Sequence, residues 1–161
     1  MTTEHKTELK EGDPAPLFSA PANGGGQVSL ADFKCKHVIL YFYPRDNTPG
    51  CTLEACAFRD EFAAFKRAGA IVLGVSTDSP KAHDKFVAKY QLPFLLVSDE
   101  NKQIVQAYGV WGEKQLFGNN YMGIIRTTFL IDENGKIKKI INKPDSKNHT
   151  EEILDAWSAI G

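Results

Sequence analysis

Cys51 closes the segment Pro44-Arg45-Asp46-Asn47-Thr48-Pro49-Gly50-Cys51, and a second cysteine, Cys56, stands five residues beyond it. An apolar run precedes this segment and a helical pattern follows it, so Cys51 is expected at a helix N-terminus. There, unpaired backbone N–H groups and the positive end of the helix dipole favour an anion. The thiolate is the nucleophilic form of cysteine. An exposed sulfur so placed, with another thiol close by, reads as a redox centre whose working cycle includes oxidation.

The neighbours of Cys51 sharpen this reading. Pro49 and Gly50 turn the chain and allow backbone to approach a ligand closely. Thr48 could aim its hydroxyl at the sulfur or at a bound oxygen, and Pro44 could shield the sulfur from bulk water. Glu54 follows Cys51 by three residues, one turn along the same helix face. Two anions so close repel unless they share a cation. Arg126 is the expected cation, because it interrupts the apolar stretch Ile124–Ile131, where a charge is buried only when paired. Arg45 and Arg59 are the alternatives.

Residues five apart in a helix lie ~140° around the axis, with Cα atoms ~8–9 Å apart. A disulfide needs Cα atoms within roughly 7 Å. If Cys51 and Cys56 cross-link, the first turns of the helix must unwind. The plainer alternative makes Cys56 a small buried side chain on the helix stripe. Cys35, between Lys34 and Lys36, reads as a bystander thiol near the surface or as a substitute cross-linking partner. Histidines at 5, 37, 83 and 149 lack zinc-ligand spacing, and no metal or cofactor is expected. Tyr108, Trp111, Phe117 and Tyr121 read as core or loop packing.

These side chains need a frame. The chain has 161 residues, 42% hydrophobic and 24% charged, the size and composition of one globular domain with its own core. Its formal net charge of -1, with acids and bases interleaved, carries no nucleic-acid footprint. No apolar run approaches the ~20 residues of a membrane span. Residues 1–12 are polar, lack the apolar segment of a secretory signal, and read as a flexible tail before a single domain over 13–161. Three cysteines, an odd count, argue against a disulfide scaffold and for a reducing compartment, with bacterial cytoplasm expected.

Pro14 and Pro16 mark Asp13–Ser19 as an extended edge segment. The Asn23-Gly24-Gly25-Gly26 turn and a return over Gln27–Leu30 complete an N-terminal β-hairpin. His37–Tyr43 and Ala70–Ser76 read as strands buried on both faces. Cys51–Ala68 reads as one helix ending at Gly69, and Asp78-Ser79-Pro80 opens another to about Tyr90. A strand over Phe94–Ser98 and a short helix over Lys102–Tyr108 follow. Strands Ile124–Ile131 and Lys136–Ile141 flank the turn Asp132-Glu133-Asn134-Gly135, and a helix closes the chain over Thr150–Ile160. This order predicts an α/β, thioredoxin-like sandwich: a central mixed β-sheet flanked by helices, with an N-terminal hairpin. The start of the Cys51 helix then falls at the carboxyl end of a central strand, where ligand sites collect.

Pro44, Thr48 and Cys51 resemble the peroxiredoxin motif Pro-x-x-x-Thr-x-x-Cys. The longer string from Tyr41 to Cys56, YFYPRDNTPGCTLEAC, resembles the bacterioferritin comigratory protein branch, or Q type. Arg126 before Thr127-Thr128-Phe129-Leu130-Ile131 matches that family's later arginine, and the resemblance runs from about Gly12 to Trp157. It implies a peroxidase in which Cys51 is the peroxidatic cysteine and becomes a sulfenic acid on attacking a hydroperoxide. Cys56 is by the same resemblance the resolving cysteine, forming an intramolecular disulfide that a thioredoxin-like reductant reopens. Thr48 and the Cys51 amide would hold the peroxide, Arg126 would stabilise the developing charge, Pro44 would shield it, and Glu54 would orient the arginine. A monomer is expected. The residues alone leave two rivals: a thiol-disulfide exchanger on the same fold, and a redox sensor that oxidises once and signals to a partner.

Overall fold

The computed structural model describes residues 7–142 and 150–153. Its frame is a five-stranded sheet. The strands are β3 (His37–Phe42), β4 (Ala70–Ser76), β5 (Leu95–Ser98), β8 (Thr127–Ile131) and β9 (Ile137–Asn142), in the order β5-β4-β3-β8-β9. β3 pairs parallel with β4 and antiparallel with β8, which makes the sheet mixed and β3 central. Two further hairpins, β1 (Ser19–Pro21) with β2 (Gln27–Ser29) and β6 (Trp111–Leu116) with β7 (Asn119–Ile124), stand outside it. The helices are α1 (Pro49–Asp60), α2 (Phe62–Arg67), α3 (Pro80–Tyr90) and α4 (Gln103–Ala107). Residues 150–153 are helical, and the remainder of the stretch expected as a closing helix lies outside the described residues.

β3 explains why the core has two halves. Its side chains alternate with a period of two. Val38, Leu40 and Phe42 join Val75, Tyr108 and Phe129 on one face, while Ile39, Tyr41 and Tyr43 join Cys51, Phe58 and Leu96 on the other. Both faces are buried, so the strand carries no alternation of polar and apolar residues. Tyr41 stacks on Phe58 with centroids 4.6 Å apart, fixing α1 against β3.

The structure corrects several boundaries. The expected single helix over Cys51–Ala68 is two: Glu61, at φ -100° and ψ 10°, leaves helical geometry and separates α1 from α2. α1 begins at Pro49, with Thr48 as N-cap, so Cys51 is the third helical residue rather than the first. Proline suits that opening position because its missing N–H would be unpaired anyway. The expected strand Ile124–Ile131 is also broken: β7 ends at Ile124 and β8 begins at Thr127. Between them the Ile125 amide donates to the Val110 carbonyl at 2.7 Å as the chain passes from one sheet to the other.

At the N-terminal end the hairpin exists, with shorter and shifted strands. Pro14 bridges to Lys136 instead of joining it. Residues 7–12, read from sequence with the tail, lie against the domain. The Thr7 hydroxyl donates to the Tyr108 carbonyl at 2.6 Å, and Leu9 packs on the core.

The β6–β7 hairpin has no counterpart among the expected elements. Its two-residue loop, Phe117-Gly118, has φ of 52° and 80°, so both residues are left-handed as a type I′ turn requires. Phenylalanine rarely adopts that conformation, which hides the turn from sequence. The four aromatics read together also separate: Tyr108 is fully buried, whereas Phe117 is 94% exposed at the hairpin tip.

Candidate active site

β3 ends at Phe42, whose Cα partner across the antiparallel ladder is Thr127. That pairing brings Arg126, the residue before Thr127, to the end of the sheet from which the Pro44–Thr48 loop departs. α1 then rises from this loop. Cys51 therefore meets Arg126 although 75 residues separate them.

The contact is direct. Nη2 of Arg126 donates to Cys51 Sγ at 3.0 Å, and Nη1 donates to Glu54 Oε1 at 2.8 Å. The guanidinium presents two N–H groups in one plane, which suits it to hold two anionic partners together. Glu54 is fully buried, and that burial pushes its carboxyl up to about 7, against the opposing pull of Arg126. Arg126 keeps 22% of its side-chain surface exposed. The alternative arginines are elsewhere: Arg59 bonds Asp60 and the Tyr90 carbonyl, and Arg45 is exposed.

Cys51 itself is only 1% exposed, which corrects the expectation of an exposed sulfur. The helix start that was to present it lies under Arg126 and against the aromatic face of β3. Its surroundings remain partly open, since Thr48, Gly50 and Arg126 are all half-buried. The Cys51 amide, in the first turn of α1, precedes the first intrahelical bond, which runs from the Thr52 amide to the Thr48 carbonyl at 2.8 Å. A small ligand entering beside Arg126 meets a sulfur, a guanidinium and the first turn of a helix.

The other sequence-derived residues fall around this centre. The Thr48 hydroxyl donates to the Arg45 carbonyl at 3.0 Å, so its hydrogen is committed and its lone pairs accept. Pro44 is half-buried on the loop before it. Cys56 is half-buried in unbroken α1, and all three cysteines are free thiols. Cys35 is exposed, with φ of 70°, and lines two cavities of about 550 and 460 Å³ that do not include Cys51.

Sequence reading missed three groups near the site. Lys114, half-buried on β6, donates to the Ile124 carbonyl at 3.0 Å. Burial and the charge of Arg126 push it down from its ordinary value, while Cys51 acts in the opposite sense. Tyr41 lies beneath the site, and its phenol is raised far above its ordinary value, first by burial and then by Glu54 and Cys51. Asp46, Asp78 and His83 form a network behind the loop, with one potential ligand atom each within 4.8 Å of the others. The Asp46 amide donates to Asp78 Oδ2 at 2.8 Å and Asp46 Oδ2 lies 2.6 Å from His83 Nδ1, which accounts for their approach. Their positions at 46, 78 and 83 give no local spacing by which sequence could have joined them.

A thiol beside an arginine at a helix start on a thioredoxin-like sheet has clear counterparts among known proteins. Residues 11–140 match the model of the AhpC/TSA family. The chain is 47% identical to peroxiredoxin Bcp of Escherichia coli (strain K12), over 91% of this chain and 94% of the relative. It is similar to the crystal structure of a mutant peroxiredoxin Q of Xylella fastidiosa, with a TM-score of 0.90, 34% identity, and coverage of 96% of this chain and 98% of that one. It is also similar to the bacterioferritin comigratory protein of Xanthomonas campestris, solved in work on that protein's alkyl peroxide reduction activity. There the TM-score is 0.85 and the identity 36%, with 96% of this chain and 98% of that one covered. The chain belongs to the AhpC/TSA family and is a thiol-dependent peroxidase of the Bcp, or Q-type, peroxiredoxins.

Proposed function

We propose that Cys51 is the peroxidatic residue, that Cys56 resolves its sulfenic acid, and that the substrates are hydrogen peroxide and organic hydroperoxides. The observation carrying this reading is the 3.0 Å contact between Arg126 Nη2 and Cys51 Sγ. The Cys51 thiolate attacks the terminal oxygen of the hydroperoxide. An S–O bond forms, the O–O bond breaks, and the departing oxygen takes a proton to leave as water or an alcohol. Arg126 and the Cys51 amide donate to the oxygens as negative charge moves onto them, and preorganised donors of this kind lower the barrier. The Thr48 oxygen accepts from the hydroperoxide O–H, and Pro44 limits the access of water. Glu54 holds the guanidinium at 2.8 Å and so fixes its aim.

The Cys56 thiolate then attacks Cys51 sulfur. An S–S bond forms, the S–O bond breaks, and hydroxide leaves with a proton as water. A thioredoxin-like dithiol reduces the disulfide by exchange and is itself oxidised. The alkyl peroxide activity named for the Xanthomonas protein supports organic hydroperoxides as substrates here. A resolving pair within one chain needs no second subunit, which supports a monomer. Reliance on a thiol reductant supports a cytoplasmic setting.

The test is peroxide consumption with a thioredoxin system, joined to a mass-spectrometric disulfide map after one equivalent of peroxide. Cys51→Ser is expected to abolish consumption, and Cys56→Ser to permit one stoichiometric oxidation without turnover. The map should show a 51–56 bond. Multiple turnovers in Cys51→Ser, or a bond from Cys35 in place of Cys56, would overturn the corresponding assignment.

A further inference from the structure

His83 lies on α3 with no exposed surface, and both ring nitrogens meet oxygen. Nε2 is 3.0 Å from the Val97 carbonyl, which can only accept, so a proton sits on Nε2. Nδ1 is 2.6 Å from Asp46 Oδ2. The other oxygen of Asp46 accepts from the Tyr43 hydroxyl at 2.5 Å, and the Asp46 amide donates to Asp78 Oδ2 at 2.8 Å. Asp78 is held in turn by the Ser76 and Ser98 hydroxyls, at 2.7 and 2.6 Å. Asp46 is thus clamped at once by Tyr43 just past β3, Asp78 just past β4 and His83 on α3. It stands two residues before Thr48, the N-cap of α1, and five before Cys51.

We infer that His83 is a positioning residue for peroxide reduction: through Asp46 it fixes the Pro44–Thr48 loop from which Thr48 and Cys51 are presented. The inference rests on Cys51 being the peroxidatic residue. The same clamp gives α1 a fixed upstream boundary. Disulfide formation with Cys56 requires the first turns of α1 to unwind, since an intact helix holds those Cα atoms ~8–9 Å apart. A loop pinned at Asp46 confines that unwinding to the helix and lets the loop resume its shape after reduction. His83 therefore supports the first chemical step, which needs the folded arrangement, and has little part in the second, which abandons it.

The two ring nitrogens can be tested separately. An asparagine amide reaches the place of Nδ1 and sets an N–H opposite Asp46, whereas a glutamine amide reaches the place of Nε2 and keeps the bond to Val97. The full-length protein is oxidised with hydrogen peroxide in a rapid-quench experiment, with sulfenic acid and disulfide counted by mass spectrometry. His83→Gln is expected to slow sulfenic acid formation at Cys51 at least tenfold and disulfide condensation less than twofold. His83→Asn should retain the first rate within about threefold. Tyr43→Phe, which removes only one oxygen from the clamp, should slow the first step in the same sense by a smaller factor.

Equal losses in His83→Asn and His83→Gln would overturn the inference, because burial alone would then explain the residue. So would an unchanged first step in both, or in Tyr43→Phe where a histidine variant does not fold. Absence of sulfenic acid at Cys51 in the parent would remove the peroxidatic assignment, and the inference with it. That outcome is distinct from a parent that forms it beside variants that fall equally.

Discussion

Cys51 and Glu54, one helical turn apart on α1, share a single counter-ion: Arg126 donates to the sulfur at 3.0 Å and to the carboxylate at 2.8 Å. The arginine stands just before β8, at the end of the sheet where β3 gives way to the loop, so the thiol site exists only when β8 is paired with β3. The link between fold and reactivity is that one guanidinium.

Replacing Arg126 with methionine should lower the second-order rate of peroxide reduction by about 100-fold, the usual loss on removing one preorganised donor. Lysine should recover only a small part, because an ammonium cannot span both partners in one plane. Stopped-flow rates with hydrogen peroxide distinguish these outcomes. A lysine variant near the parent rate would show that charge alone suffices.

Glu54 makes stability depend on pH. Burial disfavours its charge and pushes the carboxyl up from the ordinary 4.5 of the unfolded chain to about 7 in the folded protein. Between those values the folded state holds the extra proton, so this contribution is complete below pH 4.5 and is lost as pH rises through 7. Its full size is on the order of 3 kcal/mol. Urea midpoints should fall between about pH 5 and about pH 8 in the parent, and fall less in Glu54→Gln. Parallel pH profiles for the two proteins would contradict this.

Oxidation should melt the start of α1. Both cysteines lie in one continuous helix in the dithiol form. If the 51–56 disulfide forms, backbone amides after Cys51 must lose their carbonyl partners at residues 48–52. Hydrogen exchange in this segment is therefore expected to rise at least tenfold on oxidation and to return on reduction. α3 and its contacts with the loop should keep their protection. Unchanged exchange in a fully disulfide-bonded protein would contradict the unwinding.

Gly74 is required by the ring beneath the site. A Cβ built there would lie 2.8 Å from Tyr41 Cζ and 2.8 Å from Leu96 Cδ2, with both neighbours fully packed. Gly74→Ala should cost about 1–3 kcal/mol, the usual penalty for overpacking a core. It should also reduce activity, because Tyr41 stacks on Phe58 of α1 and lies below Cys51. Denaturant unfolding measures the first effect. A neutral alanine would show that the ring is free to shift.

Much of the frame was legible in local sequence. β3 and β4 announced themselves as unbroken apolar runs, Pro80 followed a serine cap, and Asp132-Glu133-Asn134-Gly135 closed the β8–β9 hairpin with the Asp132 carboxylate accepting from Asn134 and Lys136 amides. These are short-range features, in which propensity and turn chemistry act within a few residues. The break at Glu61 and the Phe117-Gly118 turn were not legible. At Phe117 the pairing of β6 with β7 holds a left-handed conformation that the residue itself does not favour.

By itself the sequence determined the reactive segment: a cysteine after Thr-Pro-Gly, a carboxylate one turn later, a second thiol in the same helix, and one arginine misplaced in an apolar stretch. Tertiary structure alone decided that this arginine touches both the sulfur and the carboxyl group, that the sulfur is buried, and that His83 meets Asp46. The reason is range. Helix caps and turns act over a few residues, whereas Arg126 and His83 reach the loop only through strand pairing and packing between segments 37 to 75 residues apart in the chain.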